Sequence, residues 1–268
     1  MSASPSPVGT LLQHWRRMRR MSQLALSHEA GVTQRHVSFV ESGRATPSRE
    51  MVLTLARALD VPLRERNQML LAAGYAPHYH ESPPDSPRMS TVRTMVRQVL
   101  AAQEPFPAFA VDRAWNMLDA NEATGILTEG VSPTLLRPPI NVIRASLHPD
   151  GLAPRIVNLP QWRWHVLTQL HRQVAMHGDP GLAALCEELR GYPGGEQAPD
   201  DSPEDRVSGI AVRLRLRRGD AELAFLSTVT VFGTPLDVTV SELTVESFLP
   251  ADARTGEIVR AWHLGRAA

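Results

Sequence analysis

Between Ser22 and Gly43 the chain has few ways to fold. Two short segments, Ser22 to Ala30 and Thr33 to Glu41, are divided by Gly31, and Gly43 closes the second. Thr33 is a good helix N-cap, and a glycine just past a helical run is a stop signal. A helix, a turn of about three or four residues containing a glycine and a second helix follow helix-turn-helix grammar. Ala25 and Val32 are expected to supply the small and apolar contacts that hold the two helices at a steep angle.

The flanking sequence extends this into an all-α unit. Leu11, Leu12, Trp15 and Met18 repeat at helical spacing, Pro47 precedes a segment from Ser48 to Leu59, and Pro62 opens another that ends at Gly74. Five helices joined by loops of about two to six residues make a compact module over residues 1–76. Residues 1–80 hold ten Arg against five Asp and Glu, a net of +5 in a chain of formal net charge +0. A basic head on an otherwise acidic chain points to a polyanionic partner.

The helix from Thr33 can be given faces. Advancing about 100° per residue puts Thr33, Val37 and Val40 toward the core and Arg35, Ser38 and Phe39 on the opposite side, with Gln34 at its edge. In a major groove, Phe39 would touch a thymine methyl, Arg35 would bind guanine in bidentate fashion, and Gln34 would pair with adenine or a phosphate. The alternative is that Phe39 packs under another loop. Arg44, just past this helix, is placed to hold a phosphate.

Residues 77–89 change in character, with no apolar period and Pro83, Pro84 and Pro87 near the end. His78 and His80 flank Tyr79, but no Cys or acidic partner stands at ligand spacing, so a solvated linker is expected rather than a metal site. Residues 90–268 read as an α+β domain. Helices are expected over Ser90–Gln103, from near Ala120, over Gln161–His177 and over Gly181–Arg190. Short strands are expected over Pro107–Asp112 and Trp115–Leu118, and a mobile loop over 191–205. Val212 to Arg217 alternates apolar and Arg residues, Arg218-Gly219-Asp220 turns the chain, and Leu223–Phe232 reads as a central strand. After a turn at Gly233-Thr234-Pro235, a third strand is expected from Val238 through Phe248, completing an antiparallel meander preceded by helices.

The apolar face of that sheet (Val212, Leu214, Leu216, Phe225, Val229) needs covering, and the Trp162 helix and the Trp115 segment can cover it. An imperfect lid would leave an apolar cavity, so Trp115, Trp162, Phe225 and Val229 are candidate ligand contacts. A filled core serving only dimerisation is the alternative.

Catalysis finds little support. His148 stands near Asp150, and His165, His171 and His177 share one helix, but steps of six residues advance about 240° each and put no two on one face. There is no Gly-rich phosphate loop, no Ser in a strand-turn-helix elbow and no CxxC pair. The expectation is therefore a protein that is not an enzyme and uses no metal or cofactor. The single cysteine, Cys186, permits no internal disulfide. With no signal peptide visible and no apolar stretch approaching the roughly 20 residues of a membrane span, a cytoplasmic protein is expected.

Two resemblances sharpen these readings. Ser22-Gln23, Gly31-Val32-Thr33-Gln34 and Glu41-Ser42-Gly43-Arg44 with Pro47-Ser48 resemble the phage-repressor-like helix-turn-helix of the xenobiotic-response-element family, over roughly residues 8–74. The resemblance implies base-edge readout from Thr33, Gln34, Arg35, Ser38 and Phe39, a phosphate contact from Gln23, and a buried or half-buried pair between Arg16 and Glu41. Farther on, Phe106 to Asn116, Pro138 to Val142, Leu147 to Asn158, Phe232 to Thr239 and Glu246 to Asp252 resemble the ligand-binding domain of MmyB-like transcription regulators, over about 90–255. That resemblance implies a PAS-like fold, a sheet wrapped by helices around an apolar cavity suited to a fatty-acid-like ligand, and it adds Val142 to the expected wall. Asp119 to Glu122 departs from the pattern by being more acidic. The combined expectation is a sequence-specific DNA-binding transcription regulator, a homodimer on double-stranded DNA, controlled by a small apolar ligand or, alternatively, by a protein partner.

Overall fold

A computed structural model describes residues 7–83, 86–194, 206–207, 211–232 and 237–267. The chain divides into two compact units, one of Met1–Pro84 with Thr234–Ser241 and one of Asp85–Gly233 with Glu242–Ala268.

The first unit contains α1 (Pro7–Met18), α2 (Gln23–Glu29), α3 (Gln34–Glu41), α4 (Arg49–Ala58) and α5 (Leu63–Ala72), the five expected helices. Three of them begin at hydroxyl caps. The side chains of Ser22, Thr33 and Ser48 accept from Ala25 N, His36 N and Met51 N at 3.0, 3.2 and 3.3 Å. Each cap satisfies an otherwise orphaned amide of the first turn. Leu12, Trp15, Leu26, Val37, Val40, Leu55 and Leu70 form the core. Gly9 lets α1 approach α3 closely: a Cβ there would stand 2.4 Å from the Val40 carbonyl oxygen.

Two expectations about this unit need correction. Ala25 is exposed, and Leu26 and Ser27 are the buried residues of α2. The larger apolar side chain takes the inward position, and its neighbour, about 100° away, turns outward. Thr33 is exposed rather than core-facing, because as the cap it has extended dihedrals and lies outside the helical period.

The segment expected as a solvated linker begins as part of this unit. Asn67 on α5 accepts from His78 N and Tyr79 N at 2.9 and 3.0 Å and donates to the Tyr79 carbonyl at 2.8 Å. One amide side chain thus satisfies three backbone groups, which holds residues 78–79 against the helix.

The second unit comprises α6 (Pro87–Ala102), β1 (Ala108–Val111), β2 (Met117–Ala120), α7 (Gly125–Thr128), α8 (Val142–Leu147), α9 (Leu159–His177), α10 (Pro180–Arg190), β3 (Arg206–Val207), β4 (Ala211–Arg218), β5 (Ala221–Val231), β6 (Thr244–Pro250) and α12 (Ala253–Ala267). α11 (Val238–Ser241) belongs to the first unit. The sheet is antiparallel, in the order β2-β1-β6-β5-β4, with the two-residue β3 added beside β4. β4, β5 and β6 form the expected meander, turned at Gly219, whose φ of 56° suits glycine.

The alternation in β4 has its expected result: Leu214 and Leu216 are buried and Arg217 is exposed. They join Phe109, Phe225, Phe248, Trp162, Leu170, Leu185 and Leu189 in one core between the sheet and its helices. β1 is buried at all four of its residues, as a strand covered on both faces must be.

The third strand is shorter than expected. Asp237 accepts from Thr239 N at 2.9 Å and from Val240 N at 3.4 Å, so Val238 to Ser241 turn as a helix and the strand starts at Thr244. A carboxylate cap here overrides the β propensity of two valines and a threonine. Of the loop expected over 191–205, residues 195–205 lie outside the described residues, and so does the turn expected at Gly233–Pro235.

Candidate DNA-reading helix and apolar cavity

Helix α3 is set by its neighbours. The turn before it uses Gly31 at φ 66°, and Val32 N bonds to the Ser27 carbonyl at 2.9 Å. Behind the helix, Arg16 Nε and Nη2 donate to the two Glu41 carboxylate oxygens at 2.6 and 2.9 Å, while its Nη1 donates to the Met21 carbonyl at 2.9 Å. Gln23 adds a bond from Nε2 to Glu41 Oε2 at 2.9 Å. Burial alone would raise the Glu41 pKa, but the bonds from Arg16 and Gln23 outweigh it and hold the carboxyl below its usual value. This arrangement ties α1, α2 and α3 at one buried point, with the Glu41 side chain only 2% exposed.

On the outward side, Thr33, Gln34 and Arg35 are exposed, and Ser38 and Phe39 are half-buried. The guanidinium carbons of Arg35 and Arg44 stand 5.1 and 5.9 Å from the centre of the Phe39 ring. Phe39 is therefore a platform between two cations, an arrangement that helical spacing alone did not suggest because Arg44 lies beyond the helix. Arg44 N also donates to the Phe39 carbonyl at 2.8 Å, which fixes the turn that carries it. The amide nitrogen of Gln23, the residue implied as a phosphate contact, is bonded to Glu41.

The second unit holds an apolar cavity in two adjoining compartments, of about 70 and about 50 Å³, which share Phe109, Val142, Ser146, Trp162 and Phe248. The larger is lined by Met117, Leu127, Val131, Ile140, Leu152 and Leu214 among others. The smaller adds Trp115, His165, Gln169 and Glu246. Trp115, Val142 and Trp162 thus stand on the cavity wall. Phe225 does not line it; it is 0% exposed and packed in the core. Val229 is 53% exposed and does not line it either, because β5 runs on past the part of the sheet that the helices cover.

Each tryptophan on the wall has its indole N–H engaged, Trp162 to Ser146 Oγ at 3.0 Å and Trp115 to Gln173 Oε1 at 2.7 Å. Trp115 has φ 65°, rare for a bulky residue. Asp112 holds it there by accepting from Ala114 N and Asn116 N at 2.9 and 2.8 Å. The α7 side of the wall is fastened by Arg155, whose guanidinium donates to the Ile126 and Leu127 carbonyls at 3.3 and 3.4 Å and to that of Glu129.

The polar residues of the smaller compartment were not found by the sequence reading. Ser227 Oγ donates to Glu246 Oε1 at 2.7 Å. Burial raises the Glu246 pKa to about 7 against the lowering effect of Ser227. Burial lowers that of His165, with a smaller contribution from Arg172. The signal is spacing: Glu246 lies two residues before Phe248 on β6, which puts both on the face that lines the cavity. The acidic departure at Asp119 to Glu122 is structural, since Asp119 pairs with Arg97 at 2.9 Å and Asn121 caps the turn at Thr124. His148, beside Asp150, fixes its loop by accepting from Asp150 N at 2.9 Å.

Residues 92–261 match the family model of the MmyB-like transcription regulator ligand binding domain. The chain belongs to the MmyB-like transcription regulators. Residues 12–66 of this regulator match a helix-turn-helix model, the segment that builds α2 and α3. A comparison with curated proteins finds no match. Among solved structures, a chain titled "Structure of an RNA-binding Light-Oxygen-Voltage Receptor" is similar at 15% identity and a TM-score of 0.23, with 98% of the regulator covered. The regulator spans 64% of the length of that chain. Among the described residues, no helix of the regulator is long and apolar enough to cross a membrane.

Proposed function

We propose that this regulator is a one-component sensor that reads a DNA operator through α3 and responds to a small apolar, fatty-acid-like ligand in the second unit. The observation that carries the DNA reading is the division of α3: Val37 and Val40 are fully buried, while Gln34 and Arg35 project outward beside Phe39 and Arg44. Arg35 suits bidentate contact with a guanine edge, and Arg44 suits a phosphate that sets the register. The contacts proposed for Thr33, Ser38 and Gln23 flank these. Acting as a homodimer, two such helices would meet half-sites one helical turn apart, about 34 Å.

The apolar walls support ligand binding, and the cavity size constrains how. Pockets for drug-sized ligands run to about 300–1,000 Å³, well above the two compartments here. An acyl chain therefore enters only if wall residues move. That movement is the link to DNA, because a ligand shifts a conformational equilibrium only by its differential affinity for the two states.

Gel-shift titration with genomic fragments tests the first half, with specific retardation expected for wild-type protein and loss of specificity on Arg35→Ala. Native mass spectrometry tests the second. A co-purifying lipid-sized mass supports sensing. A clean mass with no thermal shift across an acyl-chain panel would move control to a protein partner.

A further inference from the structure

The two compartments differ in what they offer a ligand. The larger is lined almost wholly by hydrocarbon, with Ser146, Thr124 and Thr128 as its polar side chains. The smaller gathers Glu246, His165, Gln169 and Ser146 around one space next to Trp115 and Trp162. An amphipathic molecule would place its chain in the first and its head in the second.

The charge of the second compartment selects among heads. Glu246 and His165 are the titratable groups on its wall, and among the described lining residues none is Arg. His165 Nε2 lies 3.1 Å from Gln169 Nε2. Burial, and less strongly the charge of Arg172, disfavours the His165 cation. Glu246 Oε1 is held by Ser227, and Oε2 has no hydrogen-bond partner among the described residues. The wall thus presents a free carboxyl oxygen and no cation.

Resting on the ligand-sensing reading above, we propose that this compartment takes an uncharged head group that donates a hydrogen bond to Glu246, as a long-chain alcohol or primary amide would, and that it disfavours an ionised fatty acid. A carboxylate placed here would be desolvated without a counter-charge and would face a second carboxyl, so one of the two would have to take up a proton. The Glu246 pKa, raised by burial, agrees with this environment. A hydroxyl or amide meets no such penalty: it donates to Oε2 when Glu246 is ionised, and its oxygen accepts from Oε2 when Glu246 is protonated.

The test is a calorimetric and thermal-shift comparison of full-length protein with a fatty acid, the matching alcohol and the matching primary amide of one chain length, at about pH 8. The alcohol and amide are expected to bind on the order of tenfold or more tighter than the acid, about 1.4 kcal/mol by the affinity relation. Glu246→Gln is expected to narrow that ratio by strengthening the acid, since it removes the second carboxylate and keeps the shape. Ser227→Ala, which leaves the carboxyl in place, is expected to keep the preference for the alcohol. An acid that binds as tightly as the alcohol, or a ratio unmoved by Glu246→Gln, overturns the head-group proposal while leaving ligand sensing intact. Failure of all three compounds to bind wild-type protein overturns the sensing reading and this proposal with it.

Discussion

The Arg35 guanidinium carbon lies 5.1 Å from the centre of the Phe39 ring, one turn along the same helix. With Arg44 at 5.9 Å from the same ring, Phe39 holds two cations on a surface that would otherwise let long side chains roam. Arg35→Ala is expected to cost about 1–3 kcal/mol on the cognate operator and to relax one base position. Phe39→Ala is expected to weaken binding with both arginines still present, and Phe39→Tyr to preserve it. Anisotropy titrations on operator and scrambled DNA check this. A Phe39→Ala protein that binds the operator like wild type would remove the platform from the account.

The Arg16–Glu41 pair predicts an acid-labile first unit. The folded pKa of Glu41 is held below its usual value, so the stabilisation is present above the unfolded value of about 4.3 and is lost as pH falls through the folded one. Glu41→Gln removes one charge of a largely buried pair and is expected to destabilise the unit by about 2–4 kcal/mol at neutral pH. Urea melts of the two proteins should differ at about pH 7 and converge in acid. Parallel curves at every pH would show that the charge contributes nothing.

Arg163 predicts a large cost in the second unit. It is 2% exposed, and its guanidinium donates to the carbonyls of Leu189, Arg190, Tyr192 and Pro193 at 2.8, 2.9, 2.8 and 3.2 Å. A cation at the C-terminal end of α10 answers carbonyls that the helix cannot satisfy itself. Arg163→Ala is expected to cost about 3 kcal/mol or more, and Arg163→Lys less, since an ammonium reaches fewer of the four. Thermal unfolding followed by tryptophan fluorescence measures both; equal melting for Ala and wild type would contradict the role.

Glu246 predicts a stability slope of the opposite sign to that of Glu41. Its folded pKa is about 7 against an ordinary 4.5. Below the ordinary value the carboxyl is protonated in both states. Between the two values the unfolded chain releases the proton and the folded chain keeps it, so stability falls as pH rises, and above about 7 the full penalty stands. Glu246→Gln should therefore be more stable than wild type at about pH 8, by on the order of 1–3 kcal/mol, and little different near pH 4. Denaturant midpoints at the two pH values give the answer. A variant less stable than wild type at pH 8 would contradict it.

Local signals served well where the chain's own neighbours decide the structure. Ser22, Thr33, Gly31 and Gly43 marked the helix-turn-helix because capping and positive φ act within a few residues. The alternation in Val212–Arg217 marked β4 for the same kind of reason. The failures arose from contacts distant in sequence. Val238–Ser241 had the composition of a strand, and one carboxylate, Asp237, turned it into a helix. Val229 belongs to an apolar strand, but which helices cover which end of a sheet is not a property of the strand. Arg163 and Glu246 were hidden because a charged residue is ordinarily taken as surface. Only their partners, 26 to 30 residues away along the chain for Arg163 and 19 for Glu246, show that Arg163 is buried and that Glu246 stands on the cavity wall.

Ser82 Oγ donates to Asp237 Oδ2 at 2.6 Å in the first unit, and Val238 N donates to the His80 carbonyl at 2.8 Å. The polypeptide thus revisits its beginning midway between β5 and β6. A fragment ending at residue 84 would lack Asp237 and α11 and would leave the Ser82 hydroxyl, the His80 carbonyl and the Ser82 carbonyl, which accepts from Thr239 Oγ1 at 2.9 Å, without their mates. Grafting this head onto another sensor by a single splice would therefore discard part of the head. A working chimera would have to carry two cut segments, not one.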